Sequence, residues 1–404
     1  MMISREHRRP RRTTVSTPAA KGRGLRLPTA EGGLEEYVTA EPRAWEHQGA
    51  QPARRIAYAA AHVVADPLAD NGPGMPATVD WDATLRFRRH LWSYGLRVAD
   101  AMDTAQRNMG LDWPATQELI RRSAAEAKHF GEPSELVSCG AGTDHAPDAA
   151  TLDAVTAAYE EQLATVRDAG AGVIIMASRQ LARVARGPED YQEVYGRLLR
   201  QADRPVILHW LGEMFDPNLA GYWGSPDLDE ACEHFLDLAR AHADKIDGVK
   251  VSLLDADREV RLRAALPEGV RLYTGDDFNY PELIAGGSDA LLGIFDAIAP
   301  AAAVALRALD AGRTDLYEEA FGPTVPLARK IFEAPTYHYK TGIVFLAWLN
   351  GHQEAFSMVN GAQSARSITH LAEVFKLADA ASLLADPELA VARMSALLMT
   401  YGVE

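Results

Sequence analysis

Between residues 56 and 295 the chain repeats one unit eight times: a short, wholly apolar run, a polar loop, then in most repeats an amphipathic stretch. The runs are Ile56–Val64, Leu96–Met102, Leu136–Cys139, Val173–Ala177, Val206–Trp210, Gly248–Leu253, Val270–Thr274 and Ala290–Phe295. Helix-like segments between them include Ala115–Lys128, Leu152–Asp168, Glu189–Gln201, Asp229–His242 and Asp257–Leu266. Runs that are apolar throughout belong to strands buried on both faces, and so to a parallel sheet covered by helices. Eight such units predict a closed barrel. An open doubly wound sheet would carry a Gly-rich phosphate turn after its first strand, and His62–Asp70 contains none. The expected fold is a (β/α)8 TIM barrel from about residue 55 to 300.

Local punctuation agrees with that pattern. Pro114, Pro188 and Pro281 fall near helix starts, where a missing N–H costs nothing. Gly170 and Gly172 separate a helix from the next strand, as C-cap glycines do. Beyond residue 300 the strands stop. Ala301–Ala311, Leu316–Phe332, Thr341–Leu349, Ala362–Leu384 and Pro387–Leu398 read as a C-terminal helical extension, residues 301–404. Its Tyr337–Tyr339 and Phe345–Trp348 positions are expected to form a core and an oligomer contact, giving a homodimer or homotetramer.

The first fifty residues differ from the rest. Arg5, Arg8, Arg9, Arg11 and Arg12 crowd around Pro10, and Lys21, Arg23 and Arg26 follow among Gly and Pro. With so little apolar surface to offset chain ordering, residues 1–50 are expected to be a disordered extension, and residues 1–26 to be dispensable. The other reading is a polyanion-binding arm.

A net charge of −15 argues against a generic nucleic-acid binder, because phosphate backbones reward basic surfaces. No apolar run approaches the roughly 20 residues that cross a bilayer, so no membrane partner is expected. The two cysteines, Cys139 and Cys232, are far apart and no secretory signal precedes them, which suits a reduced cytoplasm. A small-molecule substrate remains.

Catalytic groups of such a barrel stand at the C-terminal ends of its strands and in the loops that follow. That rule nominates His62, Asp103, Thr104, Thr143, Asp144, His145, Ser178, Arg179, Gln180, His209, Glu213, Lys250, Ser252, Asp276 and Asp277. Lys250 is the most informative. It sits inside Asp-Gly-Val-Lys-Val-Ser-Leu-Leu-Asp (247–255), where a lysine is expensive unless it has a partner or a task. Paired with Asp255, Asp276 or another carboxylate, it would be structural. Desolvated and with a lowered pKa, it would attack a carbonyl and form an imine. His209 could then move protons, because an imidazole near pKa 6.5 works in either direction at neutral pH.

Several segments carry a resemblance to a known family. Arg204-Pro-Val-Ile-Leu-His209, Asp247-Gly-Val-Lys250 and Leu272-Tyr-Thr-Gly-Asp-Asp277 are followed by Gly286-Gly-Ser-Asp-Ala290, Ala299-Pro300 and Pro335-Thr-Tyr-His-Tyr-Lys340. Thr341-Gly-Ile-Val-Phe-Leu-Ala-Trp-Leu-Asn-Gly351 closes the series. In order and content these are similar to the dihydrodipicolinate synthase and N-acetylneuraminate lyase superfamily of class I aldolases, from about Arg55 to Leu349. The whole chain resembles a divergent dihydrodipicolinate synthase-like subgroup of unknown function. The resemblance implies a barrel lyase with no cofactor, Lys250 as the imine lysine, and His209 where the family has a relay tyrosine. The family's paired hydroxyls for a pyruvate carboxylate fall near Asp103-Thr104-Ala105-Gln106, and only Thr104 keeps the hydroxyl. Asp103 would repel a carboxylate, so a keto-sugar suits the pocket at least as well as a 2-oxo acid. Asp103, Thr104, Asp144, His145, Glu213, Asp276 and Asp277 are the expected substrate contacts.

Two other readings stay open. Asp103, Asp144, His145, His209, Glu213 and Asp276 are oxygen and imidazole groups able to hold a divalent metal, Asp144, His145, His209 and Glu213 foremost. A metal-dependent sugar aldolase or isomerase would use them to polarise a carbonyl. A barrel without catalysis would only bind a metabolite.

Overall fold

The computed structural model describes residues 24–403 apart from residue 48. A two-stranded antiparallel hairpin comes first, β1 (Gly24–Pro28) and β2 (Leu34–Val38). Eight parallel strands follow: β3 (Ala57–Ala60), β4 (Arg97–Asp100), β5 (Val137–Ala141), β6 (Gly172–Ile175), β7 (Val206–Leu211), β8 (Ile246–Ser252), β9 (Arg271–Thr274) and β10 (Asp289–Leu292). They close into a barrel in the order β10-β3-β4-β5-β6-β7-β8-β9, a (β/α)8 TIM barrel. Each strand overlaps one of the apolar runs read from the sequence.

Side-chain alternation sorts these strands into two faces. Inward residues such as Tyr58, Ala99, Ile174, Ile207, Tyr273 and Leu291 pack together and fill the barrel. Outward residues join a separate core shared with the surrounding helices and continuous with the C-terminal unit. The helices of the barrel are α1 (Trp81–Ser93), α2 (Trp113–Ala127), α3 (Pro133–Leu136), α4 (Leu152–Ala169), α5 (Arg179–Val184), α6 (Pro188–Gln201), α7 (Leu228–Ala241), α8 (Ala256–Ala265), α9 (Tyr280–Ala285) and α10 (Ile294–Asp310). Pro188 occupies the first turn of α6, and Gly170 closes α4 in the left-handed conformation at φ 83°.

Helix α1 is absent from the sequence reading, and its composition explains why. The buried face of α1 includes Arg88 beside Phe87 and Leu91. Arg88 is fully buried because Asp100 takes its Nε and Nη2 at 3.1 and 2.7 Å, and the His62 carbonyl accepts from Nη1 at 2.5 Å. A charged residue on the core face interrupts the apolar stripe that marks a helix in sequence.

Beyond the barrel lie α11 (Thr314–Phe321), α12 (Thr324–Ile331), α13 (Tyr339–Leu349), α14 (Ile368–Ala380) and α15 (Pro387–Met399). Helix α10 runs through residue 300 with a kink at Ile298 and Pro300 inside it, so barrel and helical unit are joined through one bent helix. Phe345 and Trp348 are buried within the chain and pack with Phe356. They build the core of the unit, and the expected oligomer contact does not lie on them. No helix among the described residues is long and apolar enough to cross a membrane.

The expectation of disorder across residues 1–50 is corrected for the hairpin and the segment after it; residues 1–23 lie outside the described residues. Leu25 and Leu27 are buried, so a deletion through residue 26 would remove part of a packed strand. The Tyr37 hydroxyl donates to Asp379 Oδ2 at 2.8 Å, the Ala40 N–H reaches the same carboxylate, and Trp45 Nε1 donates to the Ser382 carbonyl at 2.8 Å. Alternating Leu25 and Leu27 supply enough apolar surface to dock on α14 once these polar groups are paired. Asp379→Ala would leave several donors unpaired, and we expect it to cost about 1–3 kcal/mol in urea denaturation; an unchanged midpoint would show that the hairpin contributes nothing to the fold.

Candidate active site

Strand register places Lys250 inside the barrel. His209 on β7 pairs with Lys250 on β8, and Lys250 pairs with Tyr273 on β9. Register partners of parallel strands share a face, and Tyr273 belongs to the barrel interior. Lys250 stands near the C-terminal end of its strand and is 4% exposed. Space for it comes from Gly275, just past β9. A Cβ there would lie 2.9 Å from Lys250 Cε and 2.2 Å from Ser252 Oγ, so any larger residue would displace the lysine.

Among the described residues, the Lys250 amine makes no hydrogen bond and no ion pair. The carboxylates that could have made it structural are committed elsewhere. Asp255 caps α8 and bonds Arg258. Asp276 accepts from the N–H groups of Phe278 and Asn279 and from Asn279 Nδ2.

The loop after β4 brings in Asp103 and Thr104. Its backbone is strained, with positive φ at Ala101 (52°), Gln106 (67°) and Asn108 (61°), a conformation that costs non-glycine residues and persists where the surroundings impose it. Tyr339, the first residue of α13, donates its hydroxyl to Asp103 Oδ2 at 2.7 Å. That hydroxyl's oxygen is 2.6 Å from Thr104 Oγ1, and since its proton goes to the carboxylate, Thr104 must be the donor of this second bond. Tyr339 stacks on Phe332 at 4.3 Å and meets Phe215 edge-on at 6.2 Å, an aromatic cover on this end of the barrel.

Charges in the site are finely divided. Burial opposes ionisation of Asp103, but the Lys250 and Lys340 ammonium groups and the Tyr339 bond outweigh it and hold the carboxyl well below its usual range. Asp277 goes the other way: burial raises it to about 8, against the Ile294 N–H that donates to it at 2.8 Å and the pull of Lys250. Burial, then Lys250, pushes His209 well below the ordinary imidazole range, so its ring is neutral at physiological pH rather than poised between states as expected. Burial likewise lowers Lys340 to about 8, with Asp103 and Asp216 opposing. Lys340 is 3% exposed, donates to the Tyr337 carbonyl at 3.0 Å and lies 4.3 Å from the centroid of the Tyr339 ring.

Of the expected site residues, the structure therefore gathers Lys250, His209, Asp103, Thr104 and Asp277. Asp276 lies beside them but its carboxylate is spent on the turn it caps. Asp144, His145 and Glu213 do not join. Burial works against Asp144, yet Arg107 beside it holds it down to about 2. Gln162 Nε2 bridges Asp144 to His145 Nδ1 at 2.9 and 2.8 Å, and His145 Nε2 reaches Glu161 at 3.2 Å. Glu213 is exposed. The alternative metal set of Asp144, His145, His209 and Glu213 thus does not converge, and no group of three or more acidic, histidine or cysteine side chains among the described residues is arranged to hold a metal ion.

Tyr339 and Lys340 escaped the sequence reading, which assigned this stretch to a core and an oligomer contact. The signal was present: Lys340 opens the otherwise apolar Tyr-Lys-Thr-Gly-Ile-Val-Phe-Leu-Ala-Trp-Leu helix, the same anomaly that exposed Lys250. Two buried polar atoms in the site, Asp103 Oδ1 and His209 Nδ1, have no hydrogen-bond partner among the described residues.

A family described as protein of unknown function (DUF993) matches residues 25–403. The chain belongs to that family. Comparison with curated proteins finds no significant match. Solved structures similar to it include dihydrodipicolinate synthases. That of Oceanobacillus iheyensis is 16% identical with a TM-score of 0.60, covering 80% of this chain and 95% of its own. That of Aquifex aeolicus is 14% identical at 0.58, covering 86% and 98%, and that of Bacteroides thetaiotaomicron is 14% identical at 0.60, covering 81% and 98%. The resemblance read from the sequence therefore holds at the level of the fold.

Asp277 makes stability depend on pH in a defined direction. Below its ordinary carboxyl range it is neutral in both states. From there up to about 8 the unfolded chain releases the proton while the native site keeps it, so this residue's contribution falls as pH rises, by at most about 1.4 kcal/mol per pH unit. Asp277→Asn keeps the acceptor for Ile294 and cannot ionise. Its unfolding free energy should decline less with pH over that window, and identical slopes would show that Asp277 ionises normally.

Proposed function

We propose that this chain is a Schiff-base (class I) aldolase, lyase or dehydratase acting on a small hydroxylated carbonyl compound, with Lys250 as the reacting amine. The observation that carries the proposal is the state of that amine: inside a closed barrel and without an ion pair among the described residues, beside carboxyl and imidazole groups whose polar atoms are partly unspent. A buried lysine that merely balanced a carboxylate would be bonded to it.

The chemistry follows from the neighbours. Once its ammonium has released a proton to solvent, Lys250 Nζ attacks the substrate carbonyl carbon, and the oxygen takes a proton and leaves as water, forming a protonated imine. Asp277, protonated near neutrality, is the acid suited to that departure. Lys340, lowered to about 8, exchanges protons in the same range. In an aldol cleavage the iminium accepts the electron pair of the adjacent C–C bond while the β-hydroxyl passes its proton to the Asp277 carboxylate and leaves as a carbonyl, giving an enamine. In a dehydration it accepts the pair of an adjacent C–H bond whose proton goes to that carboxylate, and the enamine then expels the β-hydroxyl as water. Asp103 Oδ1 and His209 Nδ1 are placed to hold substrate hydroxyls, with neutral His209 as a hydrogen-bonding partner rather than the proton carrier first expected. Thr104 and Tyr339 fix Asp103 in place. Protonation of the enamine carbon after cleavage, or departure of the β-oxygen in a dehydration, gives an iminium that water hydrolyses to product and the free amine.

Borohydride reduction in the presence of a panel of keto-sugars and 2-oxo acids should trap an adduct that peptide mapping places on Lys250. Lys250→Ala should abolish both adduct and turnover. A substrate turned over with the adduct on Lys340, or turnover that survives Lys250→Ala, would overturn the assignment; inactivation by chelator without any adduct would favour metal chemistry.

A further inference from the structure

A second cavity, of about 300 Å³, lies away from the barrel mouth, where the segment around residues 43–47 meets α1, α10 and the C-terminal helices. Trp45, Phe87, Tyr94, Leu346 and Leu383 contribute its apolar walls. Two imidazoles from different parts of the chain meet there, His90 of α1 and His352 beyond α13, with ring centroids 4.3 Å apart.

Most of the other polar groups at this place are occupied, although His62 Nε2, close by, has no partner among the described residues. His47 Nε2 is 2.7 Å from the Tyr94 hydroxyl, and Asp296 holds His62 Nδ1 at 2.8 Å. Asn350 donates to the Leu383 carbonyl and accepts from the Ala385 N–H, each at 2.9 Å. Trp45 Nε1 is bonded to the Ser382 carbonyl, and Arg43 pairs with Glu319 at 3.2 Å. Neither the His90 nor the His352 ring has a hydrogen bond among the described residues. Burial and the other imidazoles hold both neutral, His90 at about 3; for His352, at about 4, burial acts first, then His62 and nearby arginines. A neutral imidazole offers one donor and one acceptor.

We propose that this cavity is a second binding site, for an uncharged, planar aromatic or heteroaromatic metabolite whose hydrogen-bonding edge meets His90 and His352. An apolar hollow of this size with a few convergent polar groups is the usual form of a small-molecule site, and aromatic walls favour a flat ligand that can stack or meet them edge-on. Charge argues the same way. An anion would need imidazoles that resist protonation to take up a proton, and a cation would find the one carboxylate, Asp296, already held by His62. The helix that carries Tyr339 and Lys340 to the active site also presents Leu346 and Ala347 to this cavity, so a ligand here would press on the same helix.

The test needs no turnover and is therefore independent of the Schiff-base assignment. Quinolin-2-one, planar and uncharged with one donor and one acceptor on its edge, should bind the full-length chain saturably at one site by calorimetry. The ring resonances of His90 and His352 should shift in spectra of ¹⁵N-histidine-labelled protein. His352→Leu should weaken binding roughly tenfold or more, and Ala347→Phe, which grows into the cavity, should abolish it while thermal unfolding stays cooperative. Absence of saturable binding, binding that both variants leave unchanged, or tighter binding of the charged analogue quinoline-2-carboxylate would overturn the proposal. Binding that appears only after residues 1–23 are deleted would assign the cavity to the chain's own terminus and overturn it equally.

Discussion

Placing an amine inside a closed barrel without a bonded counter-ion imposes conditions on everything around it. A fully desolvated ion pair repays its cost only with excellent geometry, and a buried charge left alone is worse. The site around Lys250 meets the difficulty by division. Asp103 stays ionised because two ammonium groups face it, Asp277 keeps its proton, and His209 remains neutral. Gly275 supplies the volume, since even a methyl group would strike Lys250 Cε. Burial acts first on Asp277 and His209, and the lysine bears on every one of these residues by charge or by volume.

Buried charge elsewhere in the chain shows what a purely structural solution looks like. Arg88 spends its guanidinium on both oxygens of Asp100 and on two backbone carbonyls. Arg107 does the same with Asp144, Gln162 and the carbonyls of Ala101 and Gly140. Both groups stand near C-terminal strand ends, where catalytic residues are sought, and both are saturated. Lys250 and Lys340 are not: among the described residues one makes no hydrogen bond and the other makes one. Saturation, rather than position or residue type, separates the polar groups that hold this barrel together from those available to a substrate.

That distinction marks the limit of what the sequence could disclose. All eight strands were legible because a strand buried on both faces leaves an unbroken apolar run, and Lys250 was legible because it interrupts one. Asp144 and His145 were nominated correctly by position and wrongly by role, since nothing in the sequence announces that Arg107, Gln162 and Glu161 consume them. Helix α1 was hidden by the buried Arg88, and the hairpin by its arginine- and glycine-rich surroundings, where two alternating leucines are a weak signal. Tyr339 and Lys340 lie more than eighty residues after Lys250, and only the folded chain brings them to it.

Their location changes the meaning of the C-terminal unit. In the sequence it reads as an appendage, with a boundary near residue 300. In the structure α10 spans that boundary as a helix kinked at Ile298, and α13 sets Tyr339 against Asp103 and Thr104. Phe332 packs on Tyr339, and both lie close enough to Gly293 that its missing side chain is required: a Cβ there would sit 3.0 Å from the one ring and 3.2 Å from the other. The barrel's last turn is thus shaped to receive the helical unit, and the unit supplies two of the side chains that surround Lys250. A barrel stripped of these helices would expose the amine to water, whose high dielectric would erase the charge division that sets Asp103 and Asp277 apart. The candidate site is therefore a joint product of the two parts, and the strained loop after β4 is the seam where they meet.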